Sequence, residues 1–260
     1  MNDLVPPRPD VRGPRALSDG ASATDRPGSR GSTWGAWEAI GVYLLAWVIG
    51  SIAVVPLFWL ISNQDVAEIV ASAVVSVVNV AVLLVWLSRR HPEWRSAVGF
   101  PRRAPLEVGW GLGFGVLLYP GIVVVGTVVS MLFRDAVGHA VSPPQQVPSH
   151  LPVFGVVVTV TYAIAIAPVH EELFFRGVLF RSLRDRYGFP LGAGASAVAF
   201  GLVHYIPASS AASSLLLMSI MVFTGLGLAF LYERRGNIVA PMVAHATFNA
   251  IGVILIFLVT

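Results

Sequence analysis

The chain has 260 residues, of which 55% are hydrophobic and 12% charged, against about 25% charged in an ordinary soluble domain. A mean hydropathy of +0.74 and recurring apolar runs long enough to cross a hydrocarbon core exclude a water-soluble fold. The absence of cysteine removes disulfides, thiolate metal sites and thiol redox chemistry, and a net charge of +3 whose basic residues are all arginine fits anionic headgroups and membrane orientation rather than nucleic acid.

Residues 1–33 are rich in Pro, Gly, Ser, Arg and Asp without apolar periodicity, which predicts a disordered tail. The apolar segment that follows is too long for a signal-peptide core and has no small-residue cleavage site, so it is expected to stay in the mature protein. Seven apolar stretches can be drawn: Ala36 to Ile61, Val66 to Leu87, Val108 to Phe133, Leu151 to about Arg176, Leu191 to Tyr205, Leu215 to Tyr232 and Ile238 to Val259. The predicted fold class is therefore all-α, a polytopic membrane helix bundle of about seven transmembrane helices. The fifth stretch is short and rich in Gly and Ala, which suits close packing inside a bundle better than exposure to lipid. Pro56, Pro120 and Pro168 are expected to kink their helices. A Pro-rich loop from Arg134 to His150 separates three N-terminal helices (34–133) from a second group (151–260).

Arginine placement predicts orientation, because cytoplasmic loops carry the excess of positive charge. With these seven spans, fifteen of the seventeen arginines fall on the side of the N-terminal tail, leaving Arg134 opposite and Arg176 within a helix. The tail side is thus expected to be cytoplasmic and the C-terminus outside.

Most carboxylates lie in the tail, loops or span ends. Glu171 and Glu172 do not: they sit in IAIAPVHEELFFRGVLF, about 15 Å of helix before Arg181. An ionisable group at mid-membrane costs roughly 2.5–3.5 kcal/mol on insertion scales, so two Glu and Arg176 together need a reason. Helical spacing puts Glu172 and Arg176 on one face as an ion pair and turns Glu171 away as the free carboxylate. Two further groups, His204 and the pair His245 with Asn249, are predicted at similar depth on other helices. Each histidine has two readings, a plain interhelical hydrogen bond or a functional group. His170 begins an H-E-x-x-H zinc-protease pattern, but Phe174 occupies the second histidine position and the pattern fails. His91, His139 and His150 are expected in loops, and Asn79 is a lone polar residue in the second span.

Glu171-Glu172-x-x-x-Arg176 with Gly177, Phe200-x-x-x-His204 and His245-x-x-x-Asn249 resemble, in order and in consecutive spans, the three motifs of the CPBP family of intramembrane proteases, also called the CAAX prenyl protease 2 or Rce1-like, Abi family. The resemblance covers about Val153 to Val259 and implies a catalytic helix bundle around a polar cavity reached from the cytoplasmic side. It implies that Glu171 and His204 activate the attacking water, that His245 and Asn249 bind metal or stabilise the oxyanion, and that Glu172 and Arg176 hold the site in shape. The family is described as metal-dependent. A divalent metal, zinc first, would take Glu171, His204 and His245 as ligands with Glu172 as the likelier base, whereas glutamate and histidine can also activate water with no metal. The expected partners are a peptide or membrane-protein substrate and the bilayer, in a prokaryotic plasma membrane. A non-catalytic peptide-binding or toxin-immunity protein and a proton-coupled transporter are the rival functions.

Overall fold

The computed structural model describes residues 31–101, 104–145, 147–148, 150–208 and 210–259, and among these it contains helices and connecting turns with no strand. The first apolar run breaks at Pro56 into α1 (Ala36–Val54) and α2 (Leu57–Leu60). Asn63 starts α3 (Gln64–Arg90) by accepting the Val66 N–H at 3.0 Å, one of the four amide donors a helix start leaves unpaired. A short α4 (Trp94–Val98) leads to α5 (Ala104–Val137), which runs through Pro120. Next comes one long helix made of α6 (Val153–Thr161), α7 (Ala167–Glu172) and α8 (Arg181–Val203), joined by π-helical stretches at Tyr162–Ile166 and Leu173–Phe180. Helices α9 (Ala211–Arg235) and α10 (Val239–Val259) complete the bundle.

Among the described residues six segments are long and apolar enough to cross a membrane, and the longest, Val153–Val203, holds two of the seven predicted spans. It breaks at Gly188, whose φ of 81° lies where only glycine is at ease. The fourth span therefore continues past Arg176 to Tyr187. The fifth arm, from Phe189 to Val203, is only about 22 Å long and too short to cross alone. It packs inside the bundle, as its composition predicts: a Cβ on Gly201 would meet the Met218 carbonyl at 2.7 Å, and one on Gly225 would meet Ala197 Cα at 3.1 Å. Helices α5 and α10 approach as closely, since a Cβ on Gly115 would lie 2.5 Å from the Ala244 carbonyl. Large apolar side chains such as Trp37, Leu117, Met131 and Phe154 point outward, as a lipid-facing surface requires.

The predicted arginine-rich side is one physical end of the bundle, and it is tightly closed. Arg184 pairs with Glu233, Arg235 with a buried Glu107, and Asn237 donates to the same carboxylate at 2.8 Å. The Gly99 backbone lies against Gly236 and accepts the Ile238 N–H at 3.0 Å, while the Tyr232 hydroxyl donates to the Val98 carbonyl at 2.9 Å. Most of the expected disordered tail (1–30) lies outside the described residues. Its last residues do not behave as a tail: the Ser32 amide donates to Asp185 at 2.7 Å, and buried Trp34 donates its indole N–H to the Val178 carbonyl at 3.0 Å. The Val178 carbonyl also accepts the Arg181 N–H of its own helix, so the indole adds a second donor to it. His91, expected in a loop, is buried between Trp34 and Trp86 and bonds Thr33 at 2.8 Å.

Candidate active site

The six residues of α7 carry His170, Glu171 and Glu172, and the helix is widened on either side of them. The first widening has a visible cause. The Ala167 amide bonds the Tyr162 carbonyl, five residues back, so the next donor in that register would be residue 168, a proline with no N–H. The Ala163 carbonyl is left unserved by its own helix, and Asn249 of α10 donates to it at 2.8 Å. In the second widening, after Glu172, the Phe175 carbonyl accepts the Ser196 hydroxyl at 2.8 Å. The motif helix is thus held in register by its neighbours.

Within this frame Glu172 is completely buried and its Oε1 accepts twice, from Arg176 Nη1 at 2.8 Å and from His245 Nδ1 at 2.9 Å. Arg176, 1% exposed, also donates to the Gly225 carbonyl at 3.1 Å and stacks over Phe200 at 4.5 Å. This is a buried charge network spanning the motif helix, the fifth arm, α9 and α10. Phe200 lies at its centre, edge-on to Phe175 and close to both His204 and His245.

Glu171 faces the other way, into a cavity of about 870 Å³ that His204, His245 and Asn249 also line. Its Oε2 has no hydrogen-bond partner and lies 3.8 Å from His204 Nε2 and 3.8 Å from His245 Nε2. The bonds on the far nitrogens fix the tautomers: His204 Nδ1 donates to the Phe200 carbonyl at 2.7 Å, and His245 Nδ1 to Glu172. Each neutral ring then turns a lone pair toward Glu171. Three acceptors face one gap, a demand that donors or a cation must meet. The chemistry of this set suits a divalent ion, although among the described residues no three His, Asp or Glu side chains are grouped as a preformed metal site. Glu172 does not line the cavity, which removes the geometry for its expected role as base in a zinc site.

Residues 153–251 match the family model described as type II CAAX prenyl endopeptidase Rce1-like. Over that stretch the chain is similar to that family. Across 90 residues, 35% of this chain, it is 36% identical to a Bacillus subtilis (strain 168) protein named "Putative membrane peptidase YdiL". The chain spans about a third of the length of that curated relative (34%). No solved structure matches the chain.

The matched segment holds all six motif residues, and the structure brings Glu171, His204, His245 and Asn249 to one cavity with Glu172 and Arg176 directly behind. His170 is excluded: it is buried against Tyr43 of α1, stacked at 5.7 Å with an interplanar angle of 9°. Part of the wall comes from outside the segment, where Asp65, Glu68 and Ser72 of α3 line the mouth. Sequence reading also passed over Tyr162, nine residues before Glu171 in the cavity wall, and Ser196, neither of which carries a motif signal.

Truncating Asn249 to alanine leaves the Ala163 carbonyl without a donor and is expected to destabilise the protein by about 1–3 kcal/mol. Asn249→Asp, the same shape without the N–H, should lose at least as much. A thermal unfolding series in detergent checks both, and an unchanged aspartate variant would show that the bond does not hold the helix.

Proposed function

We propose that this protein is an intramembrane endopeptidase hydrolysing a peptide bond in a membrane-associated protein or peptide. The reading is carried by one observation: Glu171, His204 and His245 converge at the blind end of a cavity in an otherwise apolar bundle. In the proposed reaction Glu171 takes a proton from a water held between its carboxylate and the His204 ring. The water oxygen attacks the scissile carbonyl carbon, and the charge that develops on the carbonyl oxygen is met by the second N–H of Asn249. Glu171 then returns its proton to the leaving nitrogen as the C–N bond breaks, giving a carboxylic acid and an amine. Glu172 and Arg176 touch no reacting atom and are positioning residues.

A metal-assisted version is the second reading, favoured by the three acceptors that face one gap; zinc, when bound, would supply positive charge near the carbonyl. In the metal-free reaction, cleavage by detergent-purified protein is expected to stay within about twofold after chelation. Activity lost to chelator and restored by zinc would assign the metal version instead. Cells expressing the native chain and its His204→Ala variant provide the test of function itself: the native chain should yield membrane-peptide fragments that the variant does not. Identical fragment profiles would favour a peptide-binding protein. A transporter is disfavoured because the cavity ends on packed side chains instead of continuing across the bundle.

A further inference from the structure

The resemblance implies access from the cytoplasmic side, while arginine placement puts the tail side in the cytoplasm; the structure does not allow both. Every described residue that lines the cavity lies between the reacting cluster and the arginine-poor end. Its mouth is formed by Asp65 and Glu68 in the first turns of α3, at the far end from Arg89 and Arg90, and by Gln145 and His150 of the loop between α5 and α6. Toward the arginine-rich end the way is shut. Immediately behind Glu171 and His245 come the Glu172–Arg176 pair and the buried rings of Phe175 and Phe200, then Phe180 and Tyr232.

We propose that the cavity opens on the non-cytoplasmic face of the membrane, so that its substrates are peptide segments that have already crossed the bilayer. The physical basis is the pairing of two features: arginines gather where chains stay in the cytoplasm, and the mouth is at the opposite end. Water, which the reaction consumes, reaches Glu171 by the same route. The statement about substrates rests on the peptidase reading; the statement about access does not.

Because the chain has no cysteine, single cysteines report access without background. Gln145→Cys at the mouth, Ser72→Cys on the wall and Ala167→Cys, one turn from Glu171, sample the route; Arg89→Cys and Arg186→Cys mark the other end. A charged, membrane-impermeant thiosulfonate is applied to spheroplasts and to inverted vesicles of an expressing bacterium. The cavity cysteines are expected to react in spheroplasts, more slowly with depth, and the two arginine-end cysteines only in inverted vesicles. Cavity cysteines that react only in inverted vesicles, or in neither preparation, overturn the proposal. Labelling needs no turnover, so outward access together with an absence of cleavage would refute the peptidase reading alone.

Discussion

Replacing Glu171 by glutamine is expected to lower kcat for peptide hydrolysis by about 10²–10⁴-fold, the usual worth of a positioned general base, while the thermal midpoint in detergent stays near that of the native protein. The two halves of this expectation come from the same geometry. Glu171 Oε2 makes no hydrogen bond and lies 3.8 Å from each of two imidazole nitrogens, so little native bonding is lost when the charge is removed. What is lost is the one carboxylate that faces both the cavity and the two ring nitrogens. Cleavage at the native rate by the glutamine variant would remove Glu171 from the chemistry, and a large fall in stability would mean that it is a structural group.

The opposite division is expected for Arg176. Its guanidinium is buried, bonded to Glu172 and Gly225 and stacked on Phe200. Arg176→Ala therefore strands the Glu172 carboxylate in an apolar interior, and removal of one partner from a buried pair costs about 3–5 kcal/mol. Most of the variant should fail to fold or extract as aggregate. The double variant Glu172→Gln with Arg176→Met should recover much of this loss: it buries no charge, and its glutamine oxygen still accepts from His245. Unfolding midpoints of the single and double variants decide the matter, and additive losses would exclude an energetic pair.

How much of this was legible in the sequence depends on whether the partner lay within one turn of helix. Glu172 and Arg176 are four residues apart, and their pairing follows from helical geometry alone. The common depth of Glu171, His204 and His245 also follows, since rise per residue and arginine-marked ends give depth without any contact. The side of the bundle on which the cavity opens did not, because it depends on which helix faces leave space between them. Pro168 was visible as a kink. Its actual effect, a shifted register with the Ala163 carbonyl held by Asn249, needs a donor 86 residues away. Trp34 likewise read as the start of the N-terminal helices, and its buried bond goes to a carbonyl 144 residues away. Glu107, read as a span-end carboxylate within reach of water, is instead enclosed by Arg235 and Asn237.

The shared bond at Glu172 Oε1 has a consequence for biosynthesis. Membrane chains are built from the N-terminus, so Glu172 and Arg176 reach the bilayer well before His245 and Asn249, which ride on α10. Until that helix inserts, the Glu172 carboxylate lacks its imidazole donor and the Ala163 carbonyl lacks its amide donor. The nascent bundle is both less stable and chemically incomplete. In the proposed peptidase, hydrolytic competence then arrives only once α10 has inserted, which keeps the proposed water-splitting centre silent while its own emerging chain is the nearest peptide at hand.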